Sequence, residues 1–168
     1  MLSGFFMQKN MHDFNKEFMD AAVQASKENV EKGLGGPFGA VIVKDGKIIA
    51  KGSNKVTTKN DPTAHAEVET IREACKNLNT FNLSGCEIYT SCEPCPMCLA
   101  AIYWARLDKI YYANDKHHAA DIGFDDKFIY EELDLAHEHR KIPMIHYHSD
   151  EALEVFKAWT LNEEKTEY

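Results

Sequence analysis

The chain has 168 residues, 44% of them hydrophobic, and a formal net charge of −8 at pH 7. That is enough to bury one real core. No apolar run approaches the ~18–20 residues of a membrane helix, and the acidic balance weighs against a nucleic-acid partner, whose phosphates reward a basic face. Residues 1–12 lack the basic start and the small-residue cleavage site of a signal peptide, so they read as an N-terminal extension. A single cytoplasmic domain is expected over residues 13–168. The cysteine count is odd, and Cys92, Cys95 and Cys98 are crowded together. This points away from a disulfide framework and toward a metal or a nucleophile in a reducing compartment.

Asp13 reads as the N-cap of a first helix, on which Phe14, Phe18, Ala21, Ala22 and Ala25 recur at helical spacing. That helix should stop near Gly33, in Gly-Leu-Gly-Gly-Pro. Residues 38–43 predict a strand, Asp45-Gly46 a hairpin turn, and residues 48–51 the returning strand. Asp61-Pro62-Thr63 opens a helix over residues 64–78, with Val68, Ile71 and Cys75 on its buried stripe. A strand follows over 87–90. The next helix carries Pro94 in its first turn and runs to about Arg106, and another strand covers 109–113. Residues 116–136 are irregular with short helical pieces. Residues 142–147 are a candidate fifth strand, with His146 and His148 on one face, and residues 152–161 predict a last helix. Strands alternating with helices suggest a sheet between helical layers.

Two segments carry chemistry: Thr-Ala-His-Ala-Glu at 63–67 and Ser-Cys-Glu-Pro-Cys-Pro-Met-Cys at 91–98. Each places its polar residues at the start of a predicted helix. Helix N-termini carry partial positive charge and free N–H groups, which favour thiolate over thiol. Cys95 and Cys98 are three residues apart and share one helical face. With His65 they form a donor set suited to zinc that leaves a fourth position for water. Zinc lowers the pKa of bound water from about 15.7 to about 7. Glu67, two residues from His65, is placed to move that water's proton without ligating the metal. Two other readings stay open. Cys92 could complete a closed structural cage with His65, Cys95 and Cys98, giving a non-catalytic zinc-stabilised binding module. Cys95 and Cys98 could be a redox pair, although that leaves His65 and Glu67 without a role. Cys75 and Cys86 read as core residues. His12, His117, His118, His137, His139, His146 and His148 read as surface residues.

The pattern His65-Ala66-Glu67 with Pro94-Cys95-Pro96-Met97-Cys98 is the mark of zinc nucleobase deaminases. Beyond it, several blocks resemble the bacterial guanine deaminases of the cytidine-deaminase-like superfamily. They are Gly36-Pro37-Phe38-Gly39-Ala40-Val41, residues 60–67, residues 89–106, residues 123–130 and the terminal Glu167-Tyr168. The resemblance spans nearly everything after Asp13. It implies a three-layer α-β-α fold with a mixed five-stranded sheet. It also implies one zinc per subunit, held by His65, Cys95 and Cys98, with Glu67 as proton shuttle. Asn54, Phe38, Ala66 and Trp104 match substrate-binding positions. Asp126 matches a second carboxylate at the leaving amino group, and Tyr168 a residue that closes the pocket. Family members are homodimers that exchange the C-terminal segment, here about residues 140–168. The implied reaction is deamination of guanine to xanthine and ammonia. The same chemistry on another base, a nucleoside or a tRNA adenosine is the alternative within the superfamily. Read without the resemblance, Phe38 and Trp104 suit the core, Asn54 a turn, and Asp125 and Asp126 a helix cap.

Overall fold

A computed structural model describes residues 14–168. The expected extension over residues 1–12, His12 and the expected cap Asp13 lie outside the described residues. The chain falls into two compact units that meet in sequence between Asp115 and Lys116.

In the N-terminal unit, helix α1 (Lys16–Glu31) starts at Asn15, whose extended backbone and side-chain oxygen make the cap by accepting from Glu17 N at 2.9 Å. The helix stops at Gly33, whose φ of +62° is easiest for a residue without a Cβ. Strands β1 (Gly39–Lys44) and β2 (Lys47–Ser53) are joined through Asp45 and Gly46, with φ of 49° and 71°. Two successive positive φ values make the hairpin turn that matches strand twist. Then come the single-turn α2 (Val56–Lys59), α3 (Ala66–Leu78), β3 (Cys86–Cys92), α4 (Pro96–Trp104) and β4 (Lys109–Asn114).

The sheet order is β2-β1-β3-β4, with β1 antiparallel to both neighbours and β3 parallel to β4. Strand alternation sorts the core onto two faces. Ala40, Ile42 and Ile88 pack with Ala66, Ala74, Ile102 and Ala105 from α3, α4 and the turn after α4. Val41, Val43 and Tyr89 pack with Met19 and Ala22 of α1. Within this unit the helix–sheet–helix layering and the mixed sheet agree with expectation.

Two details correct the sequence reading. The face of α3 that is fully buried is Ala66, Glu67, Thr70 and Ala74, while Val68, Ile71 and Cys75 are half-buried. Small residues win this face because α3 runs very close to β2: a Cβ on Gly52 would stand 2.4 Å from Thr70 Oγ1. The sheet also has four strands, not five, among the described residues. Residues 142–147 form no regular secondary structure and are exposed. Their alternating pattern lacks a ladder partner, and Pro143 removes one donor such a ladder would need.

The C-terminal unit contains α5 (Lys116–Asp121), α6 (Lys127–Asp134), a 3-10 turn (His137–His139) and α7 (Asp150–Leu161). Ser149 caps α7 by accepting from Ala152 N at 3.2 Å. Arg140 holds the coil by donating to Leu133 O and Leu135 O at 3.2 and 3.1 Å. No residue of this unit is buried.

Helix α1 rests on β1 at Gly39. A Cβ there would stand 2.4 Å from Ala22 O and 2.5 Å from Ser26 N, both backbone atoms of the helix. Gly39→Ala should therefore push α1 off the sheet and cost about 3 kcal/mol, measured by denaturant unfolding. An unchanged midpoint would contradict this packing.

Candidate metal centre

Two helix starts deliver the polar residues. His65 is the N-cap of α3, with φ −69° and ψ 157°, and Glu67 is the second helical residue. Cys95 is the N-cap of α4, with φ −64° and ψ 167°, and Cys98 is the third helical residue. The helix-start placement expected from the sequence holds. The proline differs: Pro96, not Pro94, occupies the first turn. Proline suits that position because its missing N–H is one that the helix does not use.

His65 Nδ1 lies 3.6 Å from Cys95 Sγ and 3.5 Å from Cys98 Sγ. Zinc bonds of about 2.3 Å to sulfur and about 2.0 Å to nitrogen at a tetrahedral angle put the two donor atoms about 3.5 Å apart. All three donor atoms lie within 4.8 Å of one another. The donor set therefore fits zinc in both element type and spacing. Among the described residues this is the one group of His, Cys, Asp or Glu gathered to hold a metal, and it omits Cys92. Cys92 is buried at the end of β3 and donates instead to Asp115 O at 3.7 Å. The closed four-ligand cage is not formed.

Glu67 is buried, at 5% exposure. Cys98 Sγ lies 3.4 Å from Glu67 Oε2, and Thr90 Oγ1 donates to Glu67 Oε1 at 3.3 Å. The carboxylate thus has one oxygen fixed by β3 and the other against a metal ligand. Thr90 was not singled out in the sequence. Its signal was available: in β3 it shares a face with Cys86 and Ile88, so a lone hydroxyl points from the sheet toward the helix carrying Glu67.

The electrostatics follow from crowding and burial. The hydrogen bond shared with Cys98, and then that with His65, lowers Cys95 to about 4, so it is a thiolate at neutral pH. The same shared bond and burial push Cys98 up. The two thiols bind one proton between them, and a divalent ion displaces it. The bond with Cys95 raises His65. Burial raises Glu67, which helps a carboxyl to hold a transferred proton. Cys92 is raised to about 11 by burial and stays a thiol, consistent with its place outside the donor set.

Asn54 and Ala66 are buried in the N-terminal unit. Asn54 Oδ1 accepts from Gly36 N and Val56 N at 3.3 and 3.2 Å. Phe38 is half-buried against the α3 side of the core, and its carbonyl accepts from Asn54 N at 3.0 Å. Trp104, at the end of α4, is 66% exposed and so is not a core residue among the described residues. Asp126 and Tyr168 belong to the C-terminal unit: Asp126 is half-buried at the start of α6, and Tyr168 is exposed. The cap-like bond to Lys127 N, 2.9 Å, is made by Asp125. His117, His118, His137, His139, His146 and His148 are exposed and stand outside the metal group. The strand expected to align His146 and His148 is absent, and His148 Nε2 pairs with Asp150 Oδ1 at 3.1 Å. Cys86 is buried and Cys75 half-buried in the core, as expected.

Replacing Cys98 by Ala should abolish tight zinc binding, whereas Cys92→Ala should keep one zinc per chain. Elemental analysis after dialysis distinguishes them, and loss of zinc from Cys92→Ala would contradict the three-residue site.

Residues 12–114 match the cytidine and deoxycytidylate deaminase zinc-binding region. Guanine deaminase of Bacillus subtilis is 55% identical over 154 residues, which are 92% of this chain and 99% of that protein. The crystal structure of guanine deaminase from Bacillus subtilis superposes with a TM-score of 0.90 at 54% identity, covering 93% of this chain and 99% of the other. A tRNA-specific adenosine deaminase of Aquifex aeolicus is 46% identical over 107 residues, 63% of this chain and 70% of that protein. The zinc-binding match ends where the N-terminal unit ends, and a match over 154 residues has to continue into the C-terminal unit. With its histidine and two cysteines gathered in that matching region, this chain belongs to the cytidine and deoxycytidylate deaminase family.

Proposed function

We propose that this protein is a zinc-dependent guanine deaminase that converts guanine and water to xanthine and ammonia. The observation that carries the chemistry is Glu67, a buried carboxylate set against a metal-ligand thiol and held by Thr90. The guanine deaminase of Bacillus subtilis, similar over 154 residues, supports the choice of substrate. The tRNA-specific relative matches over 107 residues, a span that the N-terminal unit alone can hold, and the net charge of −8 opposes a polynucleotide substrate.

Held by His65, Cys95 and Cys98, zinc would make hydroxide available near neutral pH. The chain's own residues then handle protons and position. Glu67 takes a proton from the attacking water and passes it to N3 of the purine as the water oxygen bonds to C2. Glu67 next takes the remaining proton of the new C2 hydroxyl and delivers it to the 2-amino group, the C2–N bond breaks as the C2 carbonyl forms, and ammonia leaves. The raised affinity of Glu67 for a proton suits a group that must hold one between two transfers. We assign Asn54 to hydrogen bonding of the purine, and Ala66, in the first turn of α3, to presenting a backbone N–H that the helix does not use. Phe38 and Trp104 supply aromatic surface, Asp126 assists the leaving amino group, and Tyr168 closes the pocket.

We further assign a cytoplasmic homodimer with one zinc per subunit, in which residues of about 140–168 are exchanged between subunits. The C-terminal unit supports this reading, because it exposes Ile142, Ile145, Tyr147, Phe156 and Leu161 and buries nothing of its own. Apolar surface of that extent marks an interface, and exchange of an identical element is a low-cost route to a dimer. Among the described residues no helix is long and apolar enough to cross a membrane.

Glu67→Gln should retain zinc and lose guanine turnover by at least about a hundredfold, read as ammonia release; near-normal turnover ends the shuttle role. Sedimentation of the zinc-loaded protein should give one species of twice the 19.1 kDa chain mass. A monomer retaining full activity would overturn the exchanged dimer.

A further inference from the structure

Asn29 is a polar residue near the end of α1, 2% exposed, and every hydrogen-bonding position of its amide is used. Its Nδ2 donates to Gly36 O and Asn54 O, each at 2.9 Å. Its Oδ1 accepts from Ser53 Oγ at 3.0 Å and Lys55 Nζ at 3.3 Å. Three consecutive residues, 53 to 55, therefore hang on one side chain. Gly36 closes the ring, since its N–H donates to Asn54 Oδ1 at 3.3 Å. Val56 N–H reaches the same oxygen at 3.2 Å. An amide oxygen has two lone pairs, so Asn54 Oδ1 is fully engaged and the amide cannot be flipped without losing both bonds. What Asn54 keeps to offer is Nδ2, a donor.

The loop fits only because residue 35 lacks a side chain. A Cβ on Gly35 would stand 2.4 Å from Asn54 O and 3.1 Å from Asn29 Nδ2. The ring of Asn29, Gly36 and Asn54 is thus a compact clamp, tied to the rigid frame through α1.

We propose that Asn29 is a positioning residue for substrate recognition, fixing Asn54 so that its Nδ2 meets an acceptor atom of the purine. This rests on the assignment of Asn54 to purine binding made above. Asn29 acts through Asn54: it holds the backbone of Asn54, and Gly36 holds the side-chain oxygen. Without the two Nδ2 bonds, the carbonyl of Asn54 loses its side-chain partner and that of Gly36 keeps only Phe38 N–H, at 2.8 Å, so the tie between the two segments is cut, the loop relaxes and the donor is no longer presented at a fixed point.

The test is a double-mutant cycle in the full-length zinc-loaded protein, with guanine as substrate. Asn29→Asp keeps the size and the acceptor side but turns a carboxylate oxygen onto two carbonyls. It should raise KM about tenfold while kcat stays within about threefold and zinc content is unchanged. Added to Asn54→Ala, it should raise KM no further. Effects on KM that multiply in the double variant, or a fall in kcat with KM unchanged, overturn the proposal and leave Asn29 a structural residue. If Asn54→Ala alone leaves KM unaltered, the assignment of Asn54 fails first and takes this inference with it, a result distinct from the others. Should Asn29→Asp not fold, Asn29→Ser carries the same cycle.

Discussion

Cys98 sulfur lies 3.5 Å from the imidazole nitrogen of His65 and 3.4 Å from the carboxylate of Glu67. One buried thiol therefore joins the metal donor set to the carboxylate that we assign to proton transfer. His65 and Glu67 come from the start of α3, and Cys95 and Cys98 from the start of α4. Each residue of an α-helix turns about 100° around the axis, so a one-residue slip in either helix would carry its donor away from the others. The rest of the N-terminal unit serves to forbid that slip. Thr70 bonds back to Ala66 O at 2.6 Å, Gly52 lets α3 approach β2, and Thr90 reaches from β3 to the carboxylate.

The two units divide the work in a way that follows from their packing. The N-terminal unit has a sheet covered on both faces and carries the metal donors, Glu67 and Asn54. It is also the part matched by the family's zinc-binding region. The C-terminal unit has short helices and coil with exposed apolar side chains, and it carries Asp126 and Tyr168. Reaction type is thus encoded in the N-terminal unit. On our reading, substrate choice also draws on the C-terminal unit, through Asp126 and Tyr168.

The metal centre was legible in the sequence because its requirements are local. A histidine and two cysteines at helix starts, with a carboxylate two residues from the histidine, need only correct helix boundaries to converge. The hairpin was legible for the same reason, as Asp45-Gly46 specifies its own backbone. Other features were not legible. The buried face of α3 was misread because close helix–sheet approach selects Ala66, Thr70 and Ala74 over larger apolar residues. The strand over 142–147 was misread because alternation describes a pattern and not the partner that a ladder needs. Asn29 and Thr90 were passed over because their value lies in long-range partners, Asn54 and Glu67, that spacing along the chain does not reveal. Cys92 was left ambiguous because cysteine spacing cannot say which way a strand residue points. Its hydrogen bond to Asp115 O settles that.

The most direct test of the account is steady-state ammonia release by the zinc-loaded, full-length protein across a panel of guanine, adenine, cytosine, their nucleosides and a tRNA anticodon stem-loop containing adenosine. The account predicts turnover of guanine, with xanthine as the product, and rates on every other member lower by at least about a hundredfold. Preferential deamination of the tRNA adenosine, or no ammonia from guanine with zinc in place, would contradict it.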